Sequence, residues 1–189
     1  MRGTYALARV VVIRATVART LMWIGVVGVL AGLLIPSVTG RRYGIMIGAV
    51  AAVLAALTGL LLRSRWYRAR IAAADKAAFA VTLEPAQATR RRLARDNALW
   101  LLIGMVVVCG AALAAAPAAG MAVFGYGFGL FVATRLTARW ERANETLVWA
   151  RTEDARLLGR RSRIGSFATT GPAAGKVRPV VKGAARSRG

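Results

Sequence analysis

The chain has 189 residues, with 28 lysines and arginines against seven aspartates and glutamates, a formal charge of +21 and no histidine. Histidine-based acid–base chemistry and histidine metal ligation are thereby excluded, and a single cysteine, Cys109, excludes an intrachain disulfide. A hydrophobic content of 57% argues against an ordinary water-soluble domain, because the apolar residues run in stretches that have no polar face.

The first nineteen residues carry Arg2, Arg9, Arg14 and Arg19 and no acid. No charged side chain then occurs from Thr20 to Gly40, from Tyr43 to Leu62, or from Asn97 to Thr134. About 20 mostly apolar residues suffice for a helix to cross the hydrocarbon core of a bilayer. The first two stretches predict one span each, over 20–38 and 44–62. The third is too long for one span, and Pro117-Ala118-Ala119-Gly120 supplies a turn in its middle, so it predicts two, over 98–116 and 119–136. The fold class expected is an all-α integral membrane protein with four transmembrane helices in two helical hairpins. A cleaved signal peptide over 1–39 is the weaker reading, since the apolar run is long for one and the residues around Ser37–Gly40 make a poor cleavage site.

Between the hairpins, Arg63–Leu83 is expected to continue the second span as a helix, broken at Glu84-Pro85, and Ala86–Asp96 to form a second short helix. After the fourth span, Ala138–Leu158 reads as a helical extension with an imperfect apolar stripe of Trp140, Leu147, Val148, Leu157 and Leu158. From Gly159 onward the composition predicts disorder. The organisation expected is therefore 1–62 (N-terminal segment and first hairpin), 63–97 (basic arm), 98–136 (second hairpin), 137–158 (helical extension) and 159–189 (basic tail).

The hairpins share wording. Arg65-Trp66-Tyr67-Arg68-Ala69 parallels Arg139-Trp140-Glu141-Arg142-Ala143, and Pro36 and Pro117 both fall near an outer turn. This is what a tandem duplication would leave. It is also what any cytoplasmic interface attracts, and both readings stand.

Basic residues concentrate in the first nineteen positions, in 63–97 and in 135–189, whereas the connection between the first two spans holds only Arg41 and Arg42. The positive-inside bias places both termini and the central arm in the cytoplasm, in a multi-pass protein of the cell inner (cytoplasmic) membrane. Trp23, Trp66, Trp100 and Trp140 each fall near the cytoplasmic end of a different predicted span, where an aromatic belt is expected.

Three features bear on function. Glycines pair at i, i+4 in three spans: Gly28 with Gly32, Gly44 with Gly48, and Gly125 with Gly129. Such pairs flatten a helix face and allow close approach, either within one bundle or towards another membrane protein or a second copy. The basic surface, represented by Arg63, Arg65, Arg68, Arg90, Arg91, Arg92, Arg160, Arg161 and Arg163, can hold orientation on the anionic inner leaflet, grip an acidic protein, or neutralise the phosphates of nucleic acid. Arginine outnumbers lysine 25 to 3, which a GC-rich bacterial genome would also produce, so arginine preference alone does not argue for phosphate recognition. Finally, all seven acids lie near arginines in sequence. Glu141 and Glu145 could share a helix face as an acid and base, but pairing with Arg142 is the plainer reading. No catalytic, cofactor or metal site is expected, and the chain is read as non-enzymatic.

The function expected is thus a membrane scaffold or accessory subunit. The alternatives are a membrane tether for DNA and a small transporter or pore-forming oligomer. The general type resembles the small polytopic membrane proteins of GC-rich bacteria, on composition and topology rather than on a motif.

Overall fold

The computed structural model describes residues 7–34, 41–72, 74–77, 83–115, 117–152, 167–172 and 174, with the backbone alone described at positions 41 and 75 and over 62–72 and 112–115. It is mostly helical. A strand, β1 (Leu7–Arg9), leads into α1 (Val10–Leu34). Then come α2 (Arg41–Ala72), β2 (Asp75–Lys76), α3 (Ala86–Asp96), α4 (Ala98–Ala115), α5 (Ala118–Ala143), β3 (Leu147–Arg151) and β4 (Phe167–Thr170).

Helices α1, α2 and α5 each contain a window long and apolar enough to cross a membrane, and the pair α3 and α4, bent by 59° between them, makes a fourth candidate. Helix α1 begins ten residues before the expected span. Nothing in Val10–Thr20 breaks a helix, and the hydroxyls of Thr16 and Thr20 donate back to the carbonyls of Val12 and Thr16 at 2.9 Å. Asn97 separates α3 from α4, its side-chain amide donating to the Leu93 carbonyl at 2.8 Å.

Helices adjacent in sequence are not the principal packing partners. Helix α5 lies between α1 and α2 and packs along both, and α4 rests mainly on α1. Glycine makes this possible. A Cβ on Gly125 or Gly129 would meet the carbonyls of Ala52 and Ala56 on α2, and one on Gly120 or Gly127 would meet the backbone of α1 around Gly28–Val29 and Met22. Gly120 and Gly127 stand seven residues apart, two turns of helix, on a different face from Gly125 and Gly129. Backbone-to-backbone approach of this kind increases dispersion contact where apolar surroundings provide no hydrophobic drive.

At one end of the bundle sits a four-stranded sheet in the order β1-β3-β4-β2. Strand β3 pairs antiparallel with β1 and with β4, and β4 pairs parallel with β2. Outside β1, Leu83 bridges Leu7 and the Glu84 amide donates to the Leu7 carbonyl at 2.9 Å. These strands come from before α1, from between α2 and α3, and from after α5. All three regions therefore meet at the same end. The sheet has its own small core of Ala8, Val10, Ile13, Leu93, Val148, Ala150 and Phe167, with Trp140 and Ala74 packed against it.

Three expectations are corrected here. Positions 153–158 lie outside the described residues, and the helical extension expected over 137–158 stops short, because α5 ends at Ala143. Its C-terminus closes with two backbone bonds, Thr146 N–H to the Glu141 carbonyl and Glu145 N–H to the Arg142 carbonyl, around Glu145 at φ +49°. The Asn144 amide adds a bond to the Trp140 carbonyl at 2.9 Å. Beyond that stop, Leu-Val-Trp-Ala-Arg has the branched and aromatic composition of a strand and alternates onto the sheet core. The second correction concerns the basic tail over 159–189, read as disordered. Its described part contains β4, whose Phe167 is buried in the sheet core. A short apolar segment that cannot order itself is ordered by strands waiting to pair with it. Likewise the arm helix expected to reach Leu83 stops at Ala72, before β2. The rest of the tail lies outside the described residues.

Candidate functional site

The sheet end is where polar side chains converge. Glu141, on the last turn of α5, is fully buried, and its Oε2 accepts from Nη2 of Arg9 at 2.7 Å. Its Oε1 faces the Val148 amide at 3.3 Å. One carboxylate thus joins β1, α5 and β3. Arg9 keeps about a third of its side chain in solvent (35%), which reduces the cost of burying the pair. Sequence proximity suggested Arg142 as the partner; the partner is 132 positions away instead. The acid–base pairing of Glu141 with Glu145 is also removed, since Glu145 stands beyond the end of α5, exposed, while Glu141 is buried.

Beside this joint a cleft of about 330 Å³ is lined by Arg9, Val12, Leu83, Glu84, Pro85, Ala86, Thr89 and Trp149. The Glu84 carboxylate there accepts from the Thr89 hydroxyl at 3.2 Å and faces Arg92 at 3.4 Å. Trp149 donates its indole N–H to the Thr170 hydroxyl at 2.7 Å. These polar groups are engaged with one another. Among the described residues there is no group of three or more cysteines, aspartates and glutamates placed to hold a metal ion.

Gly28, Gly32, Gly44, Gly48, Gly125 and Gly129 are all buried. Gly28 lies against Val108 and Gly120, and Gly48 against Met121 and Ala118. Gly28, Gly48, Gly125 and Gly129 meet other helices of the same chain. The glycines not singled out by sequence, Gly25, Gly59, Gly120 and Gly127, take part equally. Only the seven-residue spacing of Gly120 and Gly127 could have pointed to a second face on α5.

Trp23 and Trp100 are exposed, at 70% and 48%. Trp140 instead packs on the sheet core, and the side chain of Trp66 lies outside the described residues. Arg90 and Arg91 are exposed on α3, opposite its buried Thr89 and Leu93. Arg92 turns to Glu84. Arg63, Arg65 and Arg68 sit on α2 with only the backbone described, and Arg160, Arg161 and Arg163 lie outside the described residues. Thr58 and Thr134, hydroxyls within the apolar helices, each donate to the carbonyl four residues earlier at 2.8 Å.

Large apolar side chains stand exposed along the outer sides of α2 (Met46, Val50, Val53, Leu54) and α4 (Leu99, Leu102, Val106, Val107). A water-soluble monomer rarely exposes so continuous a patch. The class these features define is a helical protein with three to four candidate membrane-spanning helices, compatible with a multi-pass membrane protein. Comparison of the chain with protein-family models, with curated proteins and with solved structures finds no match.

Proposed function

We propose that the chain is a multi-pass protein of the cytoplasmic membrane, a non-enzymatic scaffold or accessory subunit with its sheet end and both termini in the cytoplasm. The observation that carries this reading is the sheet itself. It gathers the arginine-rich segments flanking α1, α3 and α5 at one end of a bundle whose long sides are apolar. The positive-inside bias assigns such an end to the cytoplasm. Supporting the scaffold role, the buried carboxylate and the buried glycines join parts of this chain to one another.

The faces at Gly28, Gly48, Gly125 and Gly129 are occupied within the chain, so a partner helix meets another surface. Helix α4 is held mainly by α1, and a Cβ added to Gly110 on its outer side would meet nothing within 4 Å. That side of α4 is where a second membrane protein, or a second copy, docks. The test is purification in mild detergent followed by mass spectrometry of what co-elutes. A stable stoichiometric partner or dimer, lost when Val106 and Gly110 are both changed to Trp, supports the reading. A monodisperse monomer with no companion chain overturns it.

A further inference from the structure

Helix α5 has one long face that α1 and α2 leave open except at Phe124, which lies against Gly25 of α1. Phe124, Phe128, Phe131, Arg135, Arg139 and Arg142 follow one another at spacings of four, three, four, four and three residues. At 3.6 residues per turn these six positions form a single lane, and the separation of 18 positions between Phe124 and Arg142 makes five whole turns, so the two ends of the lane superpose. The glycines that meet α1 and α2 lie on either side of it. Phe128 and all three arginines are exposed, and Phe124 and Phe131 are half-buried. The lane is therefore aromatic over one half and cationic over the other.

The two halves are physically joined. The rings of Phe124 and Phe128 stack with centroids 6.5 Å apart, and the Arg135 guanidinium lies over the Phe131 ring at 5.0 Å. A guanidinium held on an aromatic face keeps its N–H donors directed outward in a fixed plane. Among the described residues no carboxylate comes within ion-pair distance of Arg135, Arg139 or Arg142, and Glu141 is turned off the lane into the joint with Arg9. Arg135 to Arg142 covers roughly 10 Å of helix, comparable with the depth of one headgroup layer.

We propose that this lane is a binding site for one anionic glycerophospholipid, its phosphate on Arg135 and Arg139 and its acyl chain along Phe131 and Phe128. Charge complementarity selects the headgroup, and the aromatic half requires an acyl chain, which a free phosphate lacks. The site rests on the membrane reading above and deepens it by naming a specific lipid position on α5, separate from the arginines of α3.

The test uses the full-length protein in detergent micelles holding equimolar phosphatidylglycerol and phosphatidylcholine, with retained lipid counted by native mass spectrometry. The wild type is expected to retain phosphatidylglycerol over phosphatidylcholine by roughly tenfold. R135Q/R139Q is expected to bring the ratio near parity, while R90Q/R91Q, which removes the same charge from α3, leaves it unchanged. Should R135Q/R139Q fail to fold, R142E is expected to lower the preference, and F131A to lower the total lipid retained, in a folded protein. Equal effects of the two double variants, or no preference in the wild type, overturn the site. Displacement of the lipid by millimolar glycerol 1-phosphate also overturns it, since the chain would then contribute nothing. Flotation with pure phosphatidylcholine vesicles separates the two readings. Flotation without headgroup preference leaves the membrane reading standing and removes the site, whereas failure to float removes both.

Discussion

A single buried carboxylate links β1, α5 and β3. Glu141 is buried with the Arg9 guanidinium on one oxygen and the Val148 amide on the other. Removing one partner of such a pair strands the other, so Glu141→Ala is expected to destabilise by about 3 kcal/mol, read as a lower melting temperature of the detergent-solubilised protein. Arg9→Ala is expected to cost at least as much, because it strands a fully buried carboxylate, whereas Glu141→Ala leaves a guanidinium that is one-third in solvent; the double variant costs less than the sum of the two. Additive losses would show that the pair contributes nothing as a pair. Glu145 carries the opposite kind of information. It occupies a left-handed conformation at φ +49°, where the helix stop ordinarily takes glycine. Glu145→Gly is expected to raise stability by about 1 kcal/mol. Gly171, at φ +122° and directly against the Glu145 carbonyl, allows no such change, and Gly171→Ala should loosen the sheet.

Among the helices, the same substitution should have opposite signs at two positions. Gly125→Ala places a methyl on the Ala52 carbonyl, a backbone atom that cannot rotate away, so α5 and α2 must separate and the protein loses stability. Gly110→Ala on α4 meets nothing within 4 Å and gains helix propensity, an expected stabilisation of up to about 1 kcal/mol. Thermal unfolding of the two variants side by side distinguishes a packed glycine from an open one, and equal losses would contradict the arrangement of α5 between α1 and α2. Which glycines pack could not be read from i, i+4 spacing. That spacing selects Gly125 and Gly129 but not Gly120 and Gly127, because α5 presents two glycine faces and a search for one face finds one.

For the molecule as a whole, the sheet determines how the segments before α1 and after α5 are tied. Phe167, at 2% exposure, belongs to the core that Val10, Leu93 and Val148 complete. Phe167→Ala is expected to cost about 3 kcal/mol, and truncation before β4 should make the segment around β1 and β3 sensitive to protease. A tail that contributed nothing to the fold would give neither result. Because β1 and β4 belong to one sheet, single cysteines placed at positions 3 and 185 in a Cys109→Ala background should label from the same side of sealed vesicles. Labelling from opposite sides would contradict the proposed topology.

The long apolar helices were legible in the chain because membrane-type segments are marked by composition alone. Twenty uncharged residues in a row need no partner to identify them, and Ala86–Asp96 was readable from the proline before it. The strands were not legible. Leu7–Arg9, Asp75–Lys76 and Phe167–Thr170 are too short to show a period of two, and each forms only because the others are already alongside. The same holds for Arg9 and Glu141, brought together from 132 positions apart. Local composition determined which segments are helical and apolar; the order in which they pack, and the sheet that ties their ends, belong to contacts between distant residues, which no local pattern encodes.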